Sequence, residues 1–181
     1  DALTGKPIAQ ETYGSYAYND IGSLPQKDMI EKLAEAGIGF EGAGFLPEKA
    51  LTMRDAARIL CESAGSDARG WDDETLGMEA GYNGFVASED WEPEREITRA
   101  EFVTFLYHFA GAPAVSDAEL PFTDVPQGKY YYTPVLWAWE NNITAGTSAT
   151  SFGSKDPCTR AQIVSFLYQY LTRAEAPKQP E

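Results

Sequence analysis

A single histidine and two cysteines in 181 residues leave this sequence short of the side chains that most often hold transition metals or carry nucleophilic catalysis. The histidine, His108, sits inside an apolar stretch, and no serine or cysteine is placed to use it as a base. There is no Cys/His cluster for zinc, and Asp67 to Glu74 lacks the spacing of a calcium loop. Carboxylates are so abundant that Asp72 with Asp73, or Glu94 with Glu96, single out no glycosidase cleft. The expectation is a chain that is not an enzyme and that uses no metal or cofactor. Cys61 and Cys158 are too few for a disulfide framework. A single bridge and a pair of small core thiols are both open readings, the second being the simpler. Basic residues are also scarce: 14 Lys and Arg against 28 Asp and Glu give a net charge of −14. Nucleic acid binding rests on clustered Lys and Arg, so that partner is disfavoured, as is an anionic membrane surface. Long apolar runs are missing, so no membrane insertion is expected. The first residue is Asp1 and no leader pattern is visible, which reads as a processed chain or an excised fragment.

What the sequence does have is 43% hydrophobic and 13% aromatic residues, ample for a core, and a repeat. Leu51-Thr-Met-Arg-Asp55, Ile97-Thr-Arg-Ala-Glu101 and Cys158-Thr-Arg-Ala-Gln162 each precede about a dozen mostly apolar residues. An aromatic stands seven residues before each threonine: Phe45 before Thr52, Trp91 before Thr98 and Phe152 before Thr159. Ile59-Leu60, Phe105-Leu106 and Phe166-Leu167 occupy matched places, and Gly65 and Gly111 close the first two copies. Upstream, Tyr18-Asn-Asp-Ile21 matches Phe122-Thr-Asp-Val125, with only a poor middle counterpart in Trp71-Asp-Asp73. The divisions are a lead-in over 1–17, copies over 18–65, 66–111 (shortened) and 118–172, and a polar tail over 173–181. Tyr13, Tyr16 and Tyr18 suggest that the lead-in packs.

Each recurring threonine is read as a helix N-cap. Thr98 with Glu101 and Thr159 with Gln162 form full capping boxes, and Thr52 with the shorter Asp55 a weaker one. The helices that follow are apolar nearly all round and belong in an interior. Each copy also has an earlier helix: Lys27 to Ala36, stopped by Gly37; Asp73 to Ala80, ended by Gly81; and one capped by Thr133 with Pro134 at its first position. A unit this small cannot bury its own faces, so the copies are expected to share one core.

These motifs resemble the S-layer homology (SLH) module, whose pattern runs aromatic-x-Asp-Val, helix, glycine loop, Phe-x-Pro and Ile-Thr-Arg-Ala-Glu. The third copy carries the pattern best, in Phe122-Thr-Asp-Val125, Val135 to Gly146, Phe152 and Thr159-Arg-Ala-Gln162; the second has Ile97-Thr-Arg-Ala-Glu101 entire. The resemblance covers roughly 18–172 and implies a mainly α fold of three helix-loop-helix repeats in a pseudo-threefold arrangement around a central three-helix bundle. It also implies grooves between repeats that bind secondary cell-wall polysaccharide, often pyruvylated. The implied role is non-catalytic anchoring in the cell wall or S-layer of a Gram-positive-type bacterium, by a single chain acting as an internal trimer. Other surface-layer proteins, or self-assembly through the same grooves, are the alternative partners.

The residues suit an acidic ligand. Arg99 and Arg160 directly follow their caps, where free helix amides and a partial positive charge favour an anion. A guanidinium there adds a two-bond fork for a carboxylate. Glu101 and Gln162 join them as candidate glycan-binding residues, and Gly84 and Gly146 are candidates for close approach of a sugar to bare backbone. Trp91 is read as a packing anchor, and Trp137 and Trp139 point different ways, with at most one in the core. In the first copy Met53 takes the arginine's place and Arg54 comes one residue later, so that groove is either dead or reached by Arg54 from the second helical position. Two good sites rather than three are expected.

Overall fold

The computed structural model describes residues 16–173. Among them are six helices and no strand: α1 (Lys27–Glu35), α2 (Met53–Ser63), α3 (Asp73–Tyr82), α4 (Arg99–Phe109), α5 (Tyr132–Glu140) and α6 (Arg160–Arg173), with a short 3-10 turn at Ser88–Asp90. The chain is thus mainly helical. Tyr13 and the tail beyond Arg173 lie outside the described residues.

Helices α2, α4 and α6 start where the recurring threonines end. Thr98 Oγ1 accepts the amide of Glu101 while the Glu101 carboxylate accepts the amide of Thr98, a complete capping box. Thr159 and Gln162 make the same exchange. Thr52 accepts the amide of Asp55 at 3.2 Å without a return bond, because the aspartate is one methylene too short.

The residues just before these caps form a closed ring of backbone bonds. Leu51 N–H donates to Cys158 O (2.7 Å), Cys158 N–H to Ile97 O (3.0 Å) and Ile97 N–H to Leu51 O (2.9 Å). All three side chains are buried. Around the ring the first amides of each helix also leave their own helix: Met53 and Arg54 donate to Arg95 O and Pro93 O, Arg99 and Ala100 to Asp156 O and Ser154 O, and Arg160 and Ala161 to Lys49 O and Pro47 O. The donors that a helix start leaves unpaired are here spent on a neighbouring loop.

The helices pair out of sequence order. α3 packs on α2, α5 on α4, and α1 on α6, whereas α5 and α6 meet at the Trp137 and Tyr170 rings, 5.8 Å apart, without close backbone approach. α4 also touches α2 and α6, its Phe102 ring stacking on Phe166 at 6.2 Å. One contiguous apolar core results, running from Ile21 to Leu171. Phe45 and Phe152 are fully buried in it and Trp91 half-buried; Trp137 is in the core and Trp139 half-buried.

Two helix boundaries depart from the expectation. α3 runs through Gly81 to Tyr82 and ends at Gly84, whose φ of +73° breaks it. Gly77 and Gly81 serve a different need: a Cβ would meet the Trp91 indole at 2.7 Å or the Ser88 hydroxyl at 2.6 Å, so the glycines let the Ser88–Trp91 turn lie against the helix. α5 starts at Tyr132, without a side-chain cap, so Thr133 is not the cap and Pro134 is the third helical residue rather than the first. The amide a proline lacks there is one a helix leaves unpaired in any case. Buried Tyr131 anchors the entry instead.

Tyr16 and Tyr18 do pack. Tyr18 accepts the amide of Phe40 at 2.7 Å and its ring meets Phe45 edge-on. Tyr16 donates to the carboxylate of Glu62, which also accepts the amide of Gly39 at 3.0 Å. Glu62 is 4% exposed. Burial pushes its carboxyl from an ordinary 4.5 up to about 7, against the pull of Tyr16, Gly39, Arg58 and Arg69.

Between those two values the folded chain binds more protons at Glu62 than the unfolded chain does. Its contribution to stability is complete below pH 4.5 and lost as pH rises through about 7. Glu62→Gln should flatten this loss, measured as the difference in urea midpoint between acidic and slightly alkaline buffer. Cys61 and Cys158 are both free and buried, and burial pushes their thiols up to about 11 and about 12. Neither should react with a thiol reagent at neutral pH until denaturant is added, a titration that counts one or two fast thiols if the packing is wrong.

Candidate functional site

The α4 N-terminus faces the loop over residues 151–156, and between them lies a cavity of about 670 Å³. Thr98, Ala100 and Glu101 contribute one wall; Asp124, Gly153 and Ser154 contribute the other. Lys129, Tyr130 and Lys155 stand at its mouth, all exposed. The volume lies inside the range of roughly 300–1,000 Å³ typical of small-ligand sites.

Asp124 builds the far wall. Its carboxylate accepts the amides of Phe152 (2.8 Å), Gly153 (2.8 Å) and Ser154 (2.9 Å), and its carbonyl accepts the Ser154 hydroxyl. Burial opposes its ionisation, but those three amides outweigh burial and hold the carboxyl below its ordinary value. Asp20 does the same with the amides of Phe45 and Leu46, at 2.7 and 2.8 Å. The recurrence of aromatic-x-Asp in the sequence was the available signal for this pair. In the middle segment the pattern is broken: Asp73 takes Arg54 instead, and the amide of Glu92 donates to the Met53 sulfur at 3.4 Å.

Glu101 lines the cavity, its carboxylate held by the amide of Thr98 at 2.7 Å and by Arg95 at 2.8 Å. Arg99 lies behind the wall rather than in it. It is 4% exposed, its Nε–H donates to Phe152 O at 3.0 Å, and its guanidinium is sandwiched between the Phe152 and Phe166 rings at 4.9 and 5.0 Å. Among the described residues it has no ion-pair partner, and burial pulls its pKa down. The two rings supply what a carboxylate would otherwise provide. Arg160 repeats the arrangement one segment on. It donates to Phe45 O at 3.2 Å and lies 4.3 Å from the Phe40 ring centre, with Asp55 at 3.7 Å and an Nε that has no partner among the described residues.

The physical reason offered for an anion at these helix mouths therefore changes. The amides of Arg99, Ala100, Arg160 and Ala161 are spent on loop carbonyls, and the N3 amides on the threonine caps, so no free donors remain in the first turn for a ligand. The exposed cations of the cavity are Lys129 and Lys155, which stand at no recurring position in the sequence.

The other candidates are not gathered here. Gln162 is committed to Thr159, and Arg54 to Asp73 (2.5 Å) and Glu94 (2.5 Å), which raises its pKa. Gly84 is exposed just beyond the C-terminal end of α3, with nothing within 4 Å of where a Cβ would stand. Gly146, at φ +83°, has Phe122 and Ser151 O within 2.5 Å of where a Cβ would stand, so its glycine answers a turn packed against Phe122. Among the described residues no cluster of His, Cys, Asp and Glu could hold a metal ion, and no helix is long and apolar enough to cross a membrane.

Asp124→Ala should leave three amides without their acceptor. We expect a loss on the order of 2–4 kcal/mol, read as a lowered denaturation midpoint, together with faster amide exchange at Phe152, Gly153 and Ser154.

The segment that forms the Asp124 wall also stands out in comparison with known families. No curated protein matches the sequence. Residues 121–164, spanning Asp124, α5, the 151–156 loop and the first turn of α6, match the model of the S-layer homology domain. Over residues 121–164 the chain is therefore similar to the S-layer homology domain, a class of non-catalytic module that anchors to cell walls and cell surfaces.

Proposed function

We propose that the chain as a whole is a surface anchor built from three SLH-like units, at 18–65, 66–111 and 118–172, and that it holds an acidic cell-wall polysaccharide. One observation carries the reading. The bonds that seal the start of α6, at the end of the matched segment, recur at α2 and α4 with the same donors and the same loop positions. A ring closed by Leu51, Ile97 and Cys158 is what three related units around a pseudo-threefold axis require, with α2, α4 and α6 as the central bundle. The units form one internal trimer within a single chain, secreted to the wall or S-layer of a Gram-positive-type bacterium.

The ligand sits in the cavity at the α4 N-terminus. Lys129 and Lys155 meet a carboxylate such as a pyruvate ketal, Tyr130 offers a ring face, and Glu101 accepts from sugar hydroxyls. Arg99 supports this site from behind by fixing the Phe152 carbonyl and with it the Gly153–Ser154 edge. Arg160 supports an equivalent groove beside Phe45, where Gln162 plays the part of Glu101. The groove at α2 is altered, since the protein's own Asp73 and Glu94 occupy Arg54. Local lysines overcome a net charge of −14, whose long-range field salt screens.

The test is retention on purified cell-wall polysaccharide and titration calorimetry with its pyruvylated form. Affinity should fall as salt rises, and Lys129→Ala with Lys155→Ala should weaken it about tenfold or more while leaving the melting curve unchanged. Retention of a surface-layer protein in place of the glycan, with the lysines indifferent, would replace this reading by self-assembly through the same grooves.

A further inference from the structure

The surface beside the α4 cavity does not end at Tyr130. A second cavity of about 470 Å³ opens on its other side. Glu101 and Tyr130 line both, so the two are parts of one groove that passes Tyr130. Tyr130 is 64% exposed, with its ring set perpendicular to that of Tyr131 at 5.1 Å.

The second cavity has a different chemistry from the first. Its floor is apolar, made by buried Met53, Phe85 and Val86, with Phe105 as a wall. Phe85 is braced by Phe109 at 5.2 Å. The rim is polar: exposed His108, and Arg95, whose guanidinium is already bonded to Glu101 at 2.8 Å. Asp90 and Glu92 add carboxylates to the same lining. A free anion is a poor occupant, because the cation is spent and the surrounding carboxylates repel it. A purely apolar occupant would leave the charged rim unpaired. A neutral sugar ring meets both conditions, with C–H faces for the aromatic floor and hydroxyls for fixed acceptors and donors.

We infer that this cavity is a second subsite for the same polymer, taking a neutral sugar unit while the acidic unit lies against Lys129 and Lys155. The chain runs across Tyr130 from one cavity to the other. The inference rests on the anchoring function proposed above and adds a length requirement to it: a fragment confined to the first cavity leaves the contacts of the second unmade.

The experiment uses polysaccharide released from purified bacterial walls and separated into short fragments, of one repeating unit, and longer ones. Calorimetry with the native chain should give about tenfold tighter binding for the long fraction, the order contributed by one well-placed aromatic contact. His108→Ala and Ala87→Trp, both at exposed positions and the second filling the cavity, should bring the long fraction down to the short one, whose affinity stays as it was. Circular dichroism melts check that both variants fold. A native chain that binds both fractions equally, or a length gain that survives Ala87→Trp, overturns the second subsite and leaves the anchoring function standing. Failure of the native chain to bind either fraction overturns both.

Discussion

Three backbone hydrogen bonds hold the rest of this structure in place. Leu51, Ile97 and Cys158 donate to one another in a closed ring, and each is followed at once by the threonine that starts a core helix. A net value of about 1 kcal/mol per bond understates their effect, since each unmade bond would leave a buried amide and carbonyl unpaired. Because the ring is closed, no member can be set without the other two. The direction in which α2, α4 and α6 enter the core is therefore decided jointly. The offset pairing follows: α3 lies on α2, α5 on α4, and α1, from the start of the described chain, on α6 at its end. In each sequence copy the closest helix partner lies in a different copy.

The same bonds determine what kind of site the fold can offer. Helix N-termini usually present free amides to an anion, but here the loops have consumed them. Positive charge at the cavity comes from lysines on two loops that the ring and Asp124 bring face to face. Arg99 shows how far burial can move a residue from its expected role. Placed where a ligand fork would stand, it lies between two phenylalanine rings and holds the Phe152 carbonyl.

Much of the fold was legible because capping and periodicity are local. Thr98 with Glu101, and Thr159 with Gln162, announce helix starts that the structure reproduces to the residue, and the shorter Asp55 announces the incomplete box at Thr52. Gly37, Gly65 and Gly111 mark real left-handed stops. The two boundary errors, at Gly81 and Pro134, arose where a neighbour decides: Ser88 and Trp91 press on α3, and Tyr131 anchors α5. Of the cavity lining, Glu101 stands in a recurring motif. Lys129, Tyr130 and Lys155 do not, because they follow no period and meet only through loop packing.

By itself, the sequence determined the number of core helices, where each begins, which aromatics anchor them, and that the chain would share one core. Those features depend on contacts within a few residues and on apolar spacing. Tertiary structure alone decided which helix packs on which, whether the helix amides stay open, and which charges reach the cavity. Each of these depends on partners dozens of residues away, and a backbone amide carries no mark in the sequence of the carbonyl it will find.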